Sequence, residues 1–208
     1  MKPGLFLTVE GTEGVGKSTN INFVEQWLTQ KGISVFRTRE PGGTPLAEAL
    51  RELLLAPRTE LVDPTAELLM VFAARAQHFN QVIKPALARG QWVLCDRFTD
   101  ATYAYQGAGR GLDVSLIQLL EQVVQGGCRP DCTLLLDIDV EVGLERARSR
   151  GELDRFETEA VQFFERVRQC YRERAAVEAS RFAIVDASQN LERVQADIAA
   201  VLGELLAR

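Results

Sequence analysis

Short apolar segments alternate with longer amphipathic segments along the chain. Five short segments, rich in apolar or β-branched side chains, predict strands at residues 5–9, 34–38, 92–95, 133–138 and 182–185. The segments between them predict helices at about 19–31, 45–55, 65–89, 114–125, 140–149, 157–178 and 190–206, several of them closed by a glycine. This repeated strand-then-helix order predicts an α/β fold, in which right-handed crossovers join a five-stranded parallel sheet with helices on both faces.

The length and composition predict a single domain. With 208 residues, 46% of them hydrophobic, the chain can bury one substantial core. No internal repeat, low-complexity tract or linker divides it, so we expect one domain over residues 1–208. The formal net charge of -5 disfavours a surface built to bind nucleic-acid backbones, and the expected partner is therefore a metabolite.

The cysteines and the single histidine argue against a zinc site. Cys95, Cys128, Cys132 and Cys170 form no paired CxxC spacing, and His78 is the only histidine. We interpret the cysteines as free thiols in a reducing compartment. No segment approaches the roughly 18 apolar residues of a membrane span. We therefore expect a cytoplasmic protein without a membrane partner.

A phosphate-binding loop follows the first predicted strand and precedes the first helix. The residues that fit the pattern GxxxxGK[ST] are Gly11, Thr12, Glu13, Gly14, Val15, Gly16, Lys17 and Ser18. Backbone N–H groups of such a loop converge on phosphate oxygens, the lysine reaches the β- and γ-phosphates, and the serine hydroxyl can ligate Mg²⁺. A glycine turn that merely connects strand and helix is the alternative, but it gives no packing reason for Lys17 and Ser18. The loop predicts ATP binding.

A phosphate loop alone does not separate a kinase from a GTPase or a mechanical ATPase. The sequence has no NKxD-type segment for reading guanine, and a translocating ATPase usually needs a longer chain. A small-metabolite kinase is the favoured class. A non-catalytic nucleotide-binding switch remains an alternative.

Further motifs follow the predicted strands, where ligands gather in a parallel sheet. Arg39 to Thr44 reads REPGGT after the second strand, and Asp96-Arg97-Phe98 follows the third. Tyr103 to Gly107 reads YAYQG, and an arginine-rich segment runs from Arg146 to Arg155. Together with the phosphate loop, these motifs span nearly the whole chain in an order that closely resembles the thymidylate kinase family. The resemblance implies a P-loop NTPase fold with a small lid at about 146–157, transfer of the γ-phosphoryl group of ATP to dTMP, Mg²⁺ as cofactor, and a homodimer.

Arg97 and Asp96 are the candidate phosphate and metal residues. A guanidinium at a strand end beside the phosphate loop can grip a phosphate bidentately, and the resemblance assigns Arg97 to the acceptor monophosphate. A structural salt bridge is the alternative role for Arg97. Asp96 is placed to hold Mg²⁺ through water together with Ser18, whereas Asp137, after the fourth strand, is a rival. We prefer Asp96 because the family motif includes it.

Phe72 and Arg75 lie three residues apart on a predicted helix and therefore share a face. A ring could stack on a base while the guanidinium donates to a carbonyl oxygen, and the resemblance assigns such a pair to thymine. In several relatives the ring lies four residues before the arginine, where this chain has Val71. Phe72 could instead be a core aromatic residue.

The resemblance also implies the rest of the dTMP site. It assigns Arg39 and Glu40 to this site, and places Thr102 and Gln106 near the base and Tyr105 near the sugar. Tyr103 and Tyr105 could equally be packing residues. A carboxylate inside a phosphate loop costs electrostatic energy, so Glu13 should have a positive or hydroxyl partner. The resemblance supplies the 3′-hydroxyl of the acceptor.

Four arginines fall within the ten residues from Arg146 to Arg155. A solvated helix face is one interpretation. The other is a mobile lid that carries an arginine to the charge developing during transfer. By resemblance to bacterial enzymes with a basic lid, Arg150 is the first choice and Arg155 the second, with Arg146 also near ATP. Asp154 and Glu157 would orient the lid or the acceptor site. Lys17, Arg97, Arg150 and Glu13 are the predicted catalytic residues.

Overall fold

The computed structural model describes residues 4–149 and 155–207. Its centre is a five-stranded parallel sheet with the strand order β2-β3-β1-β4-β5. The strands are β1 Phe6–Glu10, β2 Val35–Arg39, β3 Trp92–Asp96, β4 Cys132–Asp137 and β5 Phe182–Asp186. The predicted α/β class is thereby confirmed, and each predicted strand is found within one residue at either end.

Nine α-helices and two π-helical segments lie in the described ranges. The α-helices are α1 Lys17–Gln30, α2 Pro45–Leu55, α3 Pro64–His78, α4 Lys84–Ala88, α5 Thr99–Thr102, α6 Val114–Gln125, α7 Val140–Arg148, α8 Val161–Val177 and α9 Leu191–Leu206. The π-helical segments are Phe79–Ile83 and Tyr103–Gly109. Side chains that the sequence places just before five helices cap them: Thr44, Asp63, Asp113, Asp139 and Asn190 each accept from a backbone N–H of the first turn.

Two helix predictions need correction, and one helical segment was missed. The predicted helix at 65–89 is divided by the π-helical segment Phe79–Ile83, which lies just before Pro85, a residue without the N–H that a regular turn requires. The helix predicted from 157 begins at Val161, because the backbone of Ala160, the residue before it, is extended. The helical run from Thr99 to Gly109 was not predicted. Its residues are mostly buried, so tertiary packing stabilises a segment in which Gly107, Gly109 and several Thr and Tyr residues weaken the local helix propensity.

Both faces of the sheet are covered, as a parallel sheet requires. Leu7 and Val9 of β1 pack with α1 and α9 in one cluster of buried residues. Phe6, which alternates with them along the strand, packs with Phe98 and the π-helical segment Phe79–Ile83 on the other face. A second cluster on that face joins Leu135 to α7 and α8. Within the described part of the chain, no helix combines the length and apolar character needed to cross a bilayer.

Candidate functional site

The phosphate loop from Gly11 to Ser18 joins β1 to α1, and its glycines are required by close contacts. A Cβ atom at Gly14 would lie 1.8 Å from the carbonyl oxygen of Gly143. A Cβ at Gly11 would lie 2.4 Å from the carbonyl oxygen of Leu136. Both glycines also have positive φ, at 140° for Gly11 and 71° for Gly14. The loop can therefore be built only from residues that lack a side chain at these positions.

Lys17 spans the loop. Its Nζ atom donates to the carbonyl oxygens of Gly11, at 3.1 Å, and Thr12, at 2.8 Å. Burial and the charge of Arg97 lower the pKa of Lys17 from its usual value. Ser18 is exposed in the first turn of α1, where the positive end of the helix dipole favours anions. Both side chains therefore lie where a triphosphate at the loop would meet them.

A cavity of about 320 Å³ runs from the phosphate loop to α3. Its walls come from the phosphate loop, the segments after β2 and β3, helices α2, α3 and α5, and the end of the predicted lid. The lining includes Glu13, Gly14, Val15, Gly16, Lys17, Ser18, Arg39, Glu40, Pro41, Arg51, Val71, Arg75, Asp96, Arg97, Thr102, Tyr105, Gln106, Phe156 and Glu157. The fold thus brings most of the predicted site residues to one space.

Glu13, Arg97 and Tyr105 meet at the loop end of this cavity. The Arg97 Nη2 atom lies 2.6 Å from Glu13 Oε1, and the Tyr105 hydroxyl donates to the same oxygen at 2.9 Å. The Arg97 guanidinium also lies 4.7 Å from the centroid of the Tyr105 ring. Glu13 therefore has both the positive and the hydroxyl partner that its position in the loop requires.

The backbone of Arg97 adopts a left-handed conformation with φ of 66°. It is the one non-glycine residue with positive φ in the described ranges, and its N–H donates to the carbonyl oxygen of Val9. Such conformations are uncommon for residues with a side chain and persist when the surrounding structure fixes them. Here the conformation directs the guanidinium to the phosphate loop.

Arg75 lies at the opposite end of the cavity and is 2% exposed. Its Nε atom donates to Glu40 Oε2 at 2.6 Å, and its Nη2 atom donates to Thr102 Oγ1 at 3.0 Å. Among the described residues, the buried Nη1 atom has no hydrogen-bond partner. A buried donor without a partner is costly, so this nitrogen is positioned to receive an acceptor from a ligand or water.

Phe72 does not line the cavity. Its ring lies in a buried cluster with Leu68, Tyr103 and Ile117, and the Arg75 guanidinium packs 4.9 Å from the ring centroid. Val71, one residue earlier, lines the cavity instead. This packing supports the alternative role of Phe72, a core aromatic residue, because the helix turns its ring into the core, and its stacking on a base stays a prediction. Tyr103 is likewise a packing residue, with its hydroxyl bonded to Glu121.

Asp96 and Asp137, the rival metal residues, differ in their partners. Arg168 binds Asp137 bidentately: its Nε donates to Oδ1 at 2.7 Å and its Nη2 donates to Oδ2 at 3.1 Å. The charge of this carboxylate is therefore already balanced by an arginine. The buried Oδ1 atom of Asp96 has no hydrogen-bond partner in the described part of the chain. The same part contains no group of three or more His, Cys, Asp or Glu side chains suited to a metal. A cation beside Asp96 would therefore have few protein ligands. Mg²⁺ bound to a nucleotide is usually held in this way, by one or two side chains together with phosphate oxygens and water.

Glu67, Arg110 and His78 were not predicted, although all belong to the surroundings of the site. Glu67 is fully buried in α3 and accepts from Gln106 at 2.9 Å, Arg110 at 3.2 Å and Arg155 at 2.6 Å. The available signal was that Glu67, Arg75 and His78 are polar residues spaced by helical turns in an apolar helix. Arg51, also not predicted, lines the cavity and donates to the carbonyl oxygen of Pro41 at 3.0 Å.

The structure describes only part of the predicted lid, residues 146–149 and 155–157. Arg150 and Asp154 lie outside the described residues. Arg155 is held by Glu67 and by the carbonyl oxygen of Leu54, at 2.8 Å from Nε. Glu157 lines the cavity. Arg146 is not among the residues that line the cavity, and it donates to the carbonyl oxygen of Ala187 after β5. Arg39 lines the cavity and pairs with Glu48 at 2.8 Å.

Comparison with known proteins gives consistent matches over nearly the whole chain. The family model for thymidylate kinase matches residues 9–198. The thymidylate kinase of Teredinibacter turnerae is 66% identical over 203 residues, covering 98% of this chain and 99% of the relative. The thymidylate kinase of Chromohalobacter salexigens is 62% identical over 209 residues, covering 100% of this chain and 99% of the relative. The crystal structure of the enzyme from Ehrlichia chaffeensis is similar with a TM-score of 0.78 and 35% identity, covering 97% of this chain and 99% of its own.

Proposed function

This chain belongs to the thymidylate kinase family, and from that membership we propose which of its residues bind and transfer the phosphoryl group. The protein is a nucleoside monophosphate kinase that transfers the γ-phosphoryl group of ATP to dTMP, giving dTDP and ADP. The observation that supports the site best is the continuous cavity between the phosphate loop and Arg75. One end suits a triphosphate, and the other offers an unpaired donor to a base.

ATP is proposed to bind through residues Gly11 to Ser18. The backbone N–H groups and the start of α1 attract phosphate oxygens, and Lys17 adds a positive charge at the β- and γ-phosphates. The contacts of Lys17 with the carbonyl oxygens of Gly11 and Thr12 already extend its side chain across the loop. This preorganisation lowers the cost of ordering the lysine when the nucleotide binds.

The acceptor phosphate is proposed to bind at Arg97. One of its oxygens attacks the γ-phosphorus, the bond from the γ-phosphorus to the bridging oxygen breaks, and ADP leaves. The chemistry needs no side-chain nucleophile, so the protein contributes position and positive charge. Arg97 has more N–H donors than its contacts with Glu13 and Tyr171 use, so it can bind a phosphate without losing Glu13.

The base and sugar are proposed to occupy the rest of the cavity. The unpaired Nη1 of Arg75 would donate to a carbonyl oxygen of thymine, with Val71, Thr102 and Gln106 around the base. Tyr105 and Glu13 would contact the sugar, where the Glu13 carboxylate can accept from the 3′-hydroxyl. Arg39 and Glu40 complete the proposed dTMP site, Glu40 acting mainly by holding Arg75.

Mg²⁺ is proposed as the cofactor, held by Ser18 and, through water, by Asp96. The Oδ1 atom of Asp96, which has no partner among the described residues, and the exposed hydroxyl of Ser18 suit a hard cation that keeps part of its water shell. When bound with ATP, the ion would neutralise charge on the β- and γ-phosphates. Asp96→Asn should raise the Mg²⁺ concentration needed for half-maximal activity and for tight binding of a non-hydrolysable ATP analogue. Asp137→Asn is the matched control, and equal effects of both changes would refute the assignment.

A homodimer and a cytoplasmic location are also proposed. Leu69 of α3 and Leu119 and Val123 of α6 are 52%, 60% and 73% exposed, and α3 and α6 pack together, so these apolar side chains are accessible to a second copy of the chain. Covering them with a second copy of the chain removes this apolar surface from water. The four cysteines are all free thiols, which fits a reducing compartment.

The decisive experiment measures ADP release with ATP and Mg²⁺ in a coupled assay. The acceptors to compare are dTMP, dUMP, dCMP, dGMP, AMP, thymidine and none. We expect turnover that depends strongly on dTMP. Preference for another nucleotide would retain the kinase but refute the thymine site, and ADP release independent of any acceptor would refute the proposed acceptor cavity.

A further inference from the structure

A chain of hydrogen bonds, partly buried at Thr38 and buried from His78 onwards, runs from Thr38 near the end of β2 to Arg75. Thr38 Oγ1 lies 2.6 Å from Nε2 of His78, and Nδ1 of the same ring lies 3.0 Å from Glu40 Oε1. The other oxygen of Glu40 accepts from Arg75 Nε at 2.6 Å. Because a carboxylate paired with a guanidinium can only accept, Nδ1 of His78 must be the donor in this contact. His78 thus holds one side of Glu40 while Arg75 holds the other.

The imidazole of His78 has little freedom to move. The side chain is fully buried at the end of α3 and does not line the cavity. A Cβ atom at Gly43 would lie 2.4 Å from Cδ2 and from Nε2 of the ring, so the backbone after β2 packs directly against it. The ring is therefore fixed by a helix on one side and by the Arg39–Thr44 segment on the other.

Arg75 depends on such support, because a long side chain loses conformational freedom when one nitrogen must point at a ligand. Glu40 fixes Nε and Thr102 fixes Nη2, which leaves Nη1 as the unpaired donor. If the Glu40 carboxylate could rotate, the planar guanidinium of Arg75 would rotate with it, because its Nε donates to that carboxylate. The direction of Nη1 is therefore set by the position of the Glu40 carboxylate.

We propose that His78 is a positioning residue for base recognition, which acts through Glu40 on Arg75 without touching the substrate. This inference rests on the proposed role of Arg75 in binding the base of dTMP. His78 orients Glu40, Glu40 orients Arg75, and the unpaired nitrogen of Arg75 meets a carbonyl oxygen of the base. Selectivity for the acceptor then depends on a side chain outside the cavity.

The competing explanation is that His78 only fills space between α3 and β2. Two substitutions separate these explanations, because asparagine and glutamine each reproduce one half of the imidazole. The amide nitrogen of asparagine occupies the position of Nδ1 and can still donate to Glu40. The amide of glutamine reaches the position of Nε2 and retains only the contact with Thr38.

The experiment compares His78→Asn with His78→Gln by steady-state kinetics and thermal unfolding. We expect His78→Gln to raise the KM for dTMP about tenfold, as for loss of a hydrogen bond to a charged group, with little change in the KM for ATP. We expect the KM of His78→Asn for dTMP to stay within about threefold of that of the unmodified protein. Packing alone predicts the opposite order, because asparagine leaves the larger cavity.

Arg75→Ala provides the reference. It should raise the KM for dTMP more than either change at His78, and His78→Gln should add little in the Arg75→Ala background, because the two residues act in one chain of contacts. Equal effects of asparagine and glutamine, with Arg75→Ala still impaired, would overturn the inference and leave the proposed site intact. An unchanged KM for dTMP in Arg75→Ala would overturn both.

Discussion

Arg97 has the most constrained side chain at the proposed site of transfer. Its backbone is left-handed, and its guanidinium contacts Glu13, the Tyr105 ring and, at 3.4 Å, the Tyr171 hydroxyl. These contacts combine the two roles that the sequence left as alternatives, since an arginine in an ion pair can also present free donors to a phosphate. At the residue scale, the salt bridge and the phosphate site are parts of one arrangement.

We predict that Arg97→Ala and Lys17→Ala each lower the rate of phosphoryl transfer by at least about two orders of magnitude, the effect of losing one preorganised charge. Arg37→Ala is the matched control for arginine loss, because Arg37 pairs with Glu25 on an exposed surface. Single-turnover kinetics at saturating dTMP measures the effect. Near-normal transfer in a folded Arg97→Ala protein would contradict the assignment.

Glu10 is a buried carboxyl at the end of β1, next to the phosphate loop. Burial, with a smaller contribution from Asp100, raises the pKa of Glu10 from 4.5 to about 8. Its oxygens accept from the Phe98 N–H and the Tyr171 hydroxyl, both at 2.7 Å. The native carboxyl therefore retains its proton over a pH range in which the unfolded chain has lost it, so its contribution to stability falls as pH rises through this range.

Glu10→Gln should accordingly make the free energy of unfolding less dependent on pH between about 5 and 8, because the amide does not titrate. Denaturant unfolding of both proteins at several pH values in this range measures the difference. The unmodified protein should lose stability relative to the variant as pH rises. A difference that stays constant, or that changes in the opposite direction, would contradict the raised pKa.

At the scale of elements, Arg155 connects the end of the predicted lid to α2 and α3. Its N–H and Nε donate to the carbonyl oxygens of Leu55 and Leu54, and its Nη2 pairs with the buried Glu67. The side chain of Arg155 is thus occupied in holding the end of the predicted lid against α2 and α3. These contacts favour Arg150 over Arg155 as the proposed lid arginine that reaches the phosphates.

The lid assignment predicts different effects for its two arginines. Arg150→Ala should slow the chemical step at least about a hundredfold and leave the affinity for dTMP largely intact. Arg155→Ala should lower the thermal midpoint, with a smaller effect on the chemical step, because it removes contacts with α2 and α3. Single-turnover rates, dTMP titration and thermal unfolding measure these effects. A selective loss of dTMP binding in Arg150→Ala would instead assign Arg150 to the acceptor site.

At the scale of the whole molecule, the proposed dimer would bury the exposed apolar side chains of α3 and α6. Leu69→Asp combined with Leu119→Asp should shift the protein from dimer to monomer, because a charge in an apolar contact is costly to desolvate. Light scattering coupled to size-exclusion chromatography measures the mass. Val177→Asp is the control, since Val177 is 85% exposed at the end of α8. A monomer before any change, or a dimer that survives the double change, would contradict the proposal.

Some residues of the candidate site could be predicted from the sequence, and others could not. Glycines and a lysine at fixed spacing identify the phosphate loop, because that geometry needs those residue types. The role of Phe72 could not be assigned from the sequence. Residues three and four positions before Arg75 both lie near its face of the helix, and only the packing of α3 shows that Val71, and not Phe72, lines the cavity. Spacing after a strand suits both Asp96 and Asp137, and the family motif favours Asp96; only the tertiary structure pairs Arg168 with Asp137, because these two residues are far apart in the chain.

The sequence by itself determined the order of strands and helices, the phosphate loop and the family motifs, because these depend on local spacing and residue type. The tertiary structure decided which polar groups are paired, since pairing joins residues far apart in the chain, such as Glu40 with Arg75 and His78, or Glu13 with Arg97. It also decided the helical run from Thr99 to Gly109, whose packing outweighs weak local propensity. The Nη1 atom of Arg75 belongs to this second class, because only the packed structure shows that this donor has no hydrogen-bond partner among residues 4–149 and 155–207.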